Sequence, residues 1–167
     1  LEVLEMGVEA EERLRDCRET EGLTAWHDLR DSLRASALIS YAEKHGCTRL
    51  VLGDTATMIA ARVISDLAKN RNLHLGRYSM QQKGVEGSEG LTIVRPLFDT
   101  LADEVALFLR NRRLPPAHLP LPHWTGPFAG SQSLNSLSRE FVHTLQAGKK
   151  SSVHTILRSI AKLADTP

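Results

Sequence analysis

In the stretch DLRDSLRASALISYAEKHG the apolar side chains Leu29, Leu33, Ala37, Leu38 and Tyr41 recur at the three-and-four spacing of one helical face. Gly46 supplies a stop. Next comes RLVL, a short apolar run bounded by Gly53, which predicts a strand and a turn. In TATMIAARVISDLAKN the residues Ile59, Val63 and Leu67 repeat every fourth position, with Ala60 and Ile64 beside them, and predict a second helix. LTIVRPL (91–97) is β-branched, closes on Pro96 and predicts another strand. The stretch 70–90 between them is rich in Gly, Ser and Asn and reads as a long loop with one weak strand at 73–78.

The flanks are less regular. Residues 1–21 predict an acidic helix whose apolar positions, Leu1, Leu4, Val8 and Leu14, are sparse. Thr100 is placed to cap a helix TLADEVALFLRNRR, with Asp103 and Glu104 in its first turn and Leu101, Val105, Phe108 and Leu109 as its stripe. Residues 114–131 hold five of the seven prolines and read as an extended connection. Two short helices are expected after it, at 133–147 (stripe Leu134, Leu137, Phe141, Leu145) and 151–164 (Val153, Ile156, Leu157, Ile160, Leu163). The division is therefore an α/β segment over 1–113, a linker over 114–131 and a helical pair over 132–167. The order helix–strand–helix–strand–helix implies a parallel, helix-covered sheet. Two strands are too few for one, so further strands are expected from outside this chain, which begins with Leu rather than Met.

Charge adds a gradient to this picture. Residues 1–34 carry ten acids against five arginines, net −5, and the remainder carries sixteen bases against ten acids, net +6. A mildly basic body suits an anionic partner such as RNA, and equally an ordinary solvated surface. Two cysteines thirty residues apart, Cys17 and Cys47, form no metal or redox spacing, and Cys47, beside an apolar strand, reads as a small buried hydrophobe. No apolar run approaches the length of a membrane span, and the seven histidines show no ligand spacing, so no metal or cofactor is expected.

Candidate chemistry is thin. The strand–turn–helix at 50–64 is where open α/β sheets hold ligands, yet the turn offers only Gly53, Asp54, Thr55 and Thr57. Asp54 is expected to cap the helix by accepting its orphan N–H groups. Arg95, at the end of a strand, is expected to pin Asp99 or Glu104. Candidates for contact with phosphate are Lys69, Arg71, Arg77, Arg110, Arg112, Arg113, Lys149 and Lys150, although cations at helix C-termini also complement the helix dipole.

LRASALISYAEKHGCTRLVLGDTATMIAARVISDL is similar to the second half of PP-loop ATP pyrophosphatases that thiolate tRNA. Active members end the strand in G-H-(N/H)-x-D-D-x-x-E-T. Here Gly53 matches, Asp54 stands for the His, Thr57 and Met58 for the two Asp, and Ala61-Arg62 for Glu-Thr. The pattern resembles the non-catalytic subunit-two family of the cytoplasmic tRNA 2-thiolation complex, which carries G-D-(S/T)-x-T at this turn. IVRPLFDTLADEVA resembles that family's V-R-P-x-x-D-x-x-x-x-E-V-A, with Arg95, Pro96, Asp99, Glu104, Val105 and Ala106 in register. SLNSLSREFVHTLQ with SSVHTILRSIAKL resembles its C-terminal helical pair.

The resemblance implies an adenine-nucleotide α-hydrolase-like (PP-loop) α/β fold, with the C-terminal half of a parallel sheet, helices on both faces and a helical tail. It implies a cytoplasmic heterodimer with a catalytic thiouridylase subunit, acting on the wobble uridine of tRNAs for lysine, glutamine and glutamate, with sulfur delivered by a ubiquitin-like carrier. No residue of this chain is then catalytic. Three rivals stay open: an active PP-loop enzyme, an ATP-sensing module of the universal-stress type, and an interaction domain with no RNA role.

Overall fold

Each expected helix is present among the described residues, the first of them from Val8 onward. The computed structural model describes residues 8–71, 77–85, 88–116 and 132–164. Its elements are α1 (Val8–Thr20), α2 (Leu23–Lys44), β1 (Arg49–Val51), α3 (Ala56–Ala68), β2 (Gln81–Val85), β3 (Ser88–Val94), α4 (Ala102–Arg112), α5 (Leu134–Gly148) and α6 (Ser151–Ala164). Residues 1–7 of the first expected helix and most of the proline-rich connection lie outside the described residues. No described helix is long and apolar enough to cross a membrane.

Gly46 ends α2 as its sequence suggests. With φ at +64° it carries the chain through the left-handed region, so its N–H reaches the Glu43 carbonyl at 2.9 Å and that of Cys47 reaches Ala42 at 2.8 Å. The chain leaves this cap directly into β1. Cys47 is exposed there rather than buried, because the turn that stops the helix holds it outside the sheet. Cys17, on α1, is the buried thiol.

The sheet is small and mixed, ordered β1–β3–β2. β1 runs parallel to β3, with Leu50 opposite Ile93, and β2 runs antiparallel to β3, with Gln82 opposite Ile93. This corrects the all-parallel expectation. β2 falls in the stretch read as a loop. Its QQKGV is polar because it forms an edge, and Val85 pairs with Ser88 across only two residues, so a hairpin forms where no apolar alternation announces one. The weak strand expected at 73–78 lies mostly outside the described residues, and its described end, Arg77 and Tyr78, is not strand.

The main core forms around α3. Ile59 and Val63 are fully buried with Val142 of α5 and Val153 of α6, and Leu157, Leu101 and Tyr78 complete the cluster. The C-terminal helices therefore share the core of the α/β segment. α5 lies antiparallel to α3, since Thr57 bonds to Gln146 at one end and Ser65 to Asn135 at the other. The buried face of α5 is Ser138, Val142 and Gln146, and the expected stripe residues Leu137 and Phe141 are 46 % and 51 % exposed. Small side chains explain the difference. Ala60 and Ala61 on α3 and Ser138 on α5 let the two helices approach closely, so the contact is made by the less apolar face.

A polar seam fastens α2 to the start of α5. The Thr24 hydroxyl accepts from Leu134 N–H at 3.0 Å, and His27 Nδ1 lies 2.9 Å from the hydroxyl of Ser133, the N-cap of α5. Asp28 accepts from Asn135 at 3.0 Å and pairs with Lys69 at 2.7 Å and Arg71 at 2.9 Å. Burial works to raise the Asp28 carboxyl, but its bonds to Lys69 and Asn135 and the nearby cations outweigh that and hold it below the usual range. Burial, aided by Arg30, lowers the His27 imidazole below its ordinary value. The unfolded chain therefore binds this proton more readily than the folded one. The contribution of His27 to stability is complete above the unfolded value of about 6.5 and is lost as pH falls through the window below it. The thermal midpoint is expected to drop between pH 7 and pH 5 by more in the wild type than in His27→Gln, as followed by circular dichroism.

Candidate functional site

Because β1 and β3 are parallel, the loops that follow them, 52–55 and 95–101, emerge on the same side of the sheet. The Leu52 N–H continues the ladder to the Val94 carbonyl at 2.9 Å, and the Ala56 N–H binds the Thr100 carbonyl at 2.9 Å, so the two loops are joined. This is the carboxyl-end crevice in which α/β folds bind ligands. Gly53 is exposed there, while Asp54, Thr55 and Thr57 are buried.

Thr55, not Asp54, is the N-cap of α3. Its side chain accepts from the Met58 N–H at 3.4 Å, leaving Asp54 free for other work. Asp54 sits between two arginines, with Arg62 Nη1 at 2.9 Å and Arg95 Nε at 3.4 Å. Arg95 therefore pins Asp54 rather than Asp99 or Glu104, and it also donates to the Ser79 carbonyl at 3.0 Å. The Arg95 side chain is only 6 % exposed. Burial lowers the proton affinity of its guanidinium below the usual arginine range, and Asp54 opposes that shift.

Thr57, which aligns with the first family aspartate, is closed off by α5 and α4. Its hydroxyl donates to Gln146 Oε1 at 2.8 Å and accepts from the Ala102 N–H at 3.1 Å. The Gln146 amide in turn donates to Asp103 at 2.6 Å. The other first-turn acid of α4, Glu104, bonds back to the Leu101 N–H at 2.8 Å, so Leu101 takes the N-cap position expected of Thr100. Of the remaining motif residues, Pro96 and Asp99 are exposed on the 95–101 loop. Met58, at the second family aspartate, is 44 % exposed.

The basic candidates divide into two groups. Lys69 and Arg71 are held by Asp28, and Arg77 pairs with Asp66 at 2.5 Å, so these three brace the fold. Beside that pair, Tyr78 donates to Asp66 at 2.6 Å, and burial with this bond pushes its phenol up to about 12, so the hydroxyl stays protonated. Arg110, Arg112, Arg113, Lys149 and Lys150 are exposed and form no ion pair among the described residues, Arg112 lying over the Phe108 ring at 5.6 Å. The sequence did not single out Gln146, whose partner is 89 residues away.

No group of three or more His, Cys, Asp or Glu able to hold a metal ion occurs among the described residues. The two cysteines, Cys17 buried on α1 and Cys47 exposed after α2, belong to no such group among the described residues.

No protein-family model matches the chain. It is similar to proteins named cytoplasmic tRNA 2-thiolation protein 2. The identity is 28 % over 148 residues in Homo sapiens, covering 87 % of this chain and 27 % of that protein. It is 27 % over 143 residues in Dictyostelium discoideum, covering 84 % and 26 %. In Oryza sativa subsp. indica it is 30 % over 157 residues, covering 93 % and 32 %. The chain thus spans about a quarter to a third of these relatives. Its fold matches that of the U34-tRNA thiolase NcsA from Methanococcus maripaludis, solved with its 4Fe-4S cluster, at a TM-score of 0.64 and 18 % identity, covering 82 % of this chain and 43 % of that one.

Proposed function

We propose that this chain, a homologue of cytoplasmic tRNA 2-thiolation protein 2, serves tRNA 2-thiolation as part of a non-catalytic subunit. In this reading it works in the cytoplasm, completes a heterodimer with a catalytic thiouridylase subunit and presents basic surface to tRNA, while a ubiquitin-like carrier delivers sulfur to the complex. Segment 1–113 carries the partial α/β layer, 114–131 the proline-rich connection and 132–167 the helical pair that closes over the turn.

The observation that carries the proposal is the filling of the turn. A carboxylate beside a metal-bound phosphate acts through its charge, and Thr57 and Met58 have none to offer. The one acid of the turn, Asp54, is neutralised by Arg62 and Arg95, and the Thr57 hydroxyl is spent on Gln146 and the α4 backbone. The turn holds α3, α4 and α5 together instead. The exposed cations Arg110, Arg112, Arg113, Lys149 and Lys150 support the RNA part of the reading; Lys69, Arg71 and Arg77 do not.

The test is co-purification of the full-length protein with a catalytic thiouridylase subunit, followed by a tRNA thiolation assay of each alone and of the pair. The proposal expects thiolation from the pair and none from this protein alone. Pyrophosphate release by this protein without a partner would refute it.

A further inference from the structure

Helix α6 contains no Asp or Glu, and residues 133–164 carry five Lys and Arg against one Glu, net +4. Along it the basic residues fall at four-residue intervals: Lys150 just before the helix, then His154, Arg158 and Lys162. Each is next to the previous one on the helix surface, about 6 Å further along the axis, in a row that turns gradually. That step is close to the separation of successive phosphates along a nucleic-acid strand. Lys150, Arg158 and Lys162 are exposed and His154 is half-buried.

The row borders a groove. An open cavity of about 270 Å³ lies between the 95–101 loop and α6, lined by Phe98, Asp99, His154, Leu157, Arg158 and Ala161. Its walls are mostly apolar, with a half-buried aromatic ring on one side and a guanidinium on the other. Phe98 packs on the main core, so the ring is held in place. Arg158 donates its Nε–H to the His154 carbonyl at 3.4 Å, which lays the side chain along the helix. Asp99 makes no ion pair among the described residues. The groove opens on the same side of the sheet as the filled turn, because Phe98 and Asp99 belong to the loop that follows β3.

We infer that this groove seats one nucleotide of a single-stranded RNA segment, with the flanking phosphates running along Lys150, His154, Arg158 and Lys162. An apolar floor with one aromatic wall suits any base face, and a row of lysine and arginine side chains with one imidazole donor suits the backbone, which is the combination used by single-strand binders. The lone carboxylate of Asp99 would repel a phosphate, but it accepts a hydrogen bond from a ribose hydroxyl or a base amino group. The ligand-binding side of the fold is thus retained, moved from the turn at 53–57 to the adjoining loop. This inference rests on the proposed role in tRNA thiolation and names the surface that meets the RNA.

The experiment is a fluorescence-anisotropy titration of an unmodified tRNA transcript carrying a wobble uridine, with the full-length protein, between 50 and 200 mM salt. Arg158→Gln and Lys162→Gln are each expected to weaken binding several-fold and to flatten the plot of log affinity against log salt by about one unit. Phe98→Leu is expected to weaken binding about tenfold with the salt slope unchanged, because stacking carries no counterion. Arg34→Gln, on the far helix α2, serves as the control and should alter neither quantity. If the wild type binds with a steep salt slope and the α6 and Phe98 variants bind identically to it, the groove is refuted and the RNA role survives. If the wild type shows no salt-dependent binding, both are refuted.

Discussion

Asp54→Ala is expected to destabilise the fold by about 3–5 kcal/mol, more than any other single change at the turn. The reason is Arg95. Its side chain is 6 % exposed, and the only carboxylate paired with it among the described residues is Asp54, itself 9 % exposed. Removing the acid leaves a buried guanidinium whose remaining bond among the described residues is to the Ser79 carbonyl. Arg62, about a third exposed, does not share this dependence, since water can solvate it when Asp54 is gone. Arg62→Ala should therefore cost less than about 1 kcal/mol. Urea denaturation of both variants, followed by tryptophan fluorescence and circular dichroism, separates them. Equal losses would mean that the charge of Asp54 is balanced by Arg62 and that Arg95 is not dependent on it.

Ile59→Ala should cost about 2–5 kcal/mol. Ile59 is fully buried on α3 in a cluster to which α5 contributes Val142 and α6 contributes Val153 and Leu157. These neighbours come from α5 and α6, and polar bonds at both ends of α3 fasten it to α5, so the site has little freedom to collapse around the missing atoms. Val142→Ala is a smaller deletion on the opposite wall of the same core. If α3, α5 and α6 melt as one unit, both variants move a single transition and their effects are less than additive. Two transitions, with Ile59→Ala moving one and Val142→Ala the other, would show that the helical pair folds separately.

The helices were legible because their apolar spacing is local. The sheet was less so. β2 is polar but for its last residue, Val85, as an edge strand can be, and its short link to β3 carries no strong turn signature, so composition points to a loop. The inner face of α5 was misassigned for a different reason. A helix that packs closely against alanines buries Ser138 and Gln146, and periodicity selects the large residues Leu137 and Phe141 instead. The turn itself was located correctly, from one glycine between a strand and a helix. Its residues' roles were not, because the partners of Asp54 and Thr57 are supplied by Arg95 and Gln146, 41 and 89 residues away. Sequence spacing cannot show which distant side chain fills a site. The basic candidates illustrate the same limit: Lys69 and Arg71 look like any helix-end cations until Asp28 is seen beside them.

The central claim is that the turn at 53–57 is kept for its architecture and does no chemistry. It is tested most directly by the single-turnover rate of tRNA thiolation in the heterodimer proposed above, assembled from the full-length protein carrying Thr57→Val with Gln146→Leu. This change removes the buried Thr57–Gln146 bond and with it the bonds to the Ala102 N–H and to Asp103; Asp103 is exposed and takes up water instead, so the cost to the fold is that of one part-buried N–H, about 1–3 kcal/mol. The account predicts an intact complex and a rate within about twofold of the wild type. A fall of about a hundredfold in rate with assembly unaltered, the loss expected when a transition-state contact is removed, would contradict it.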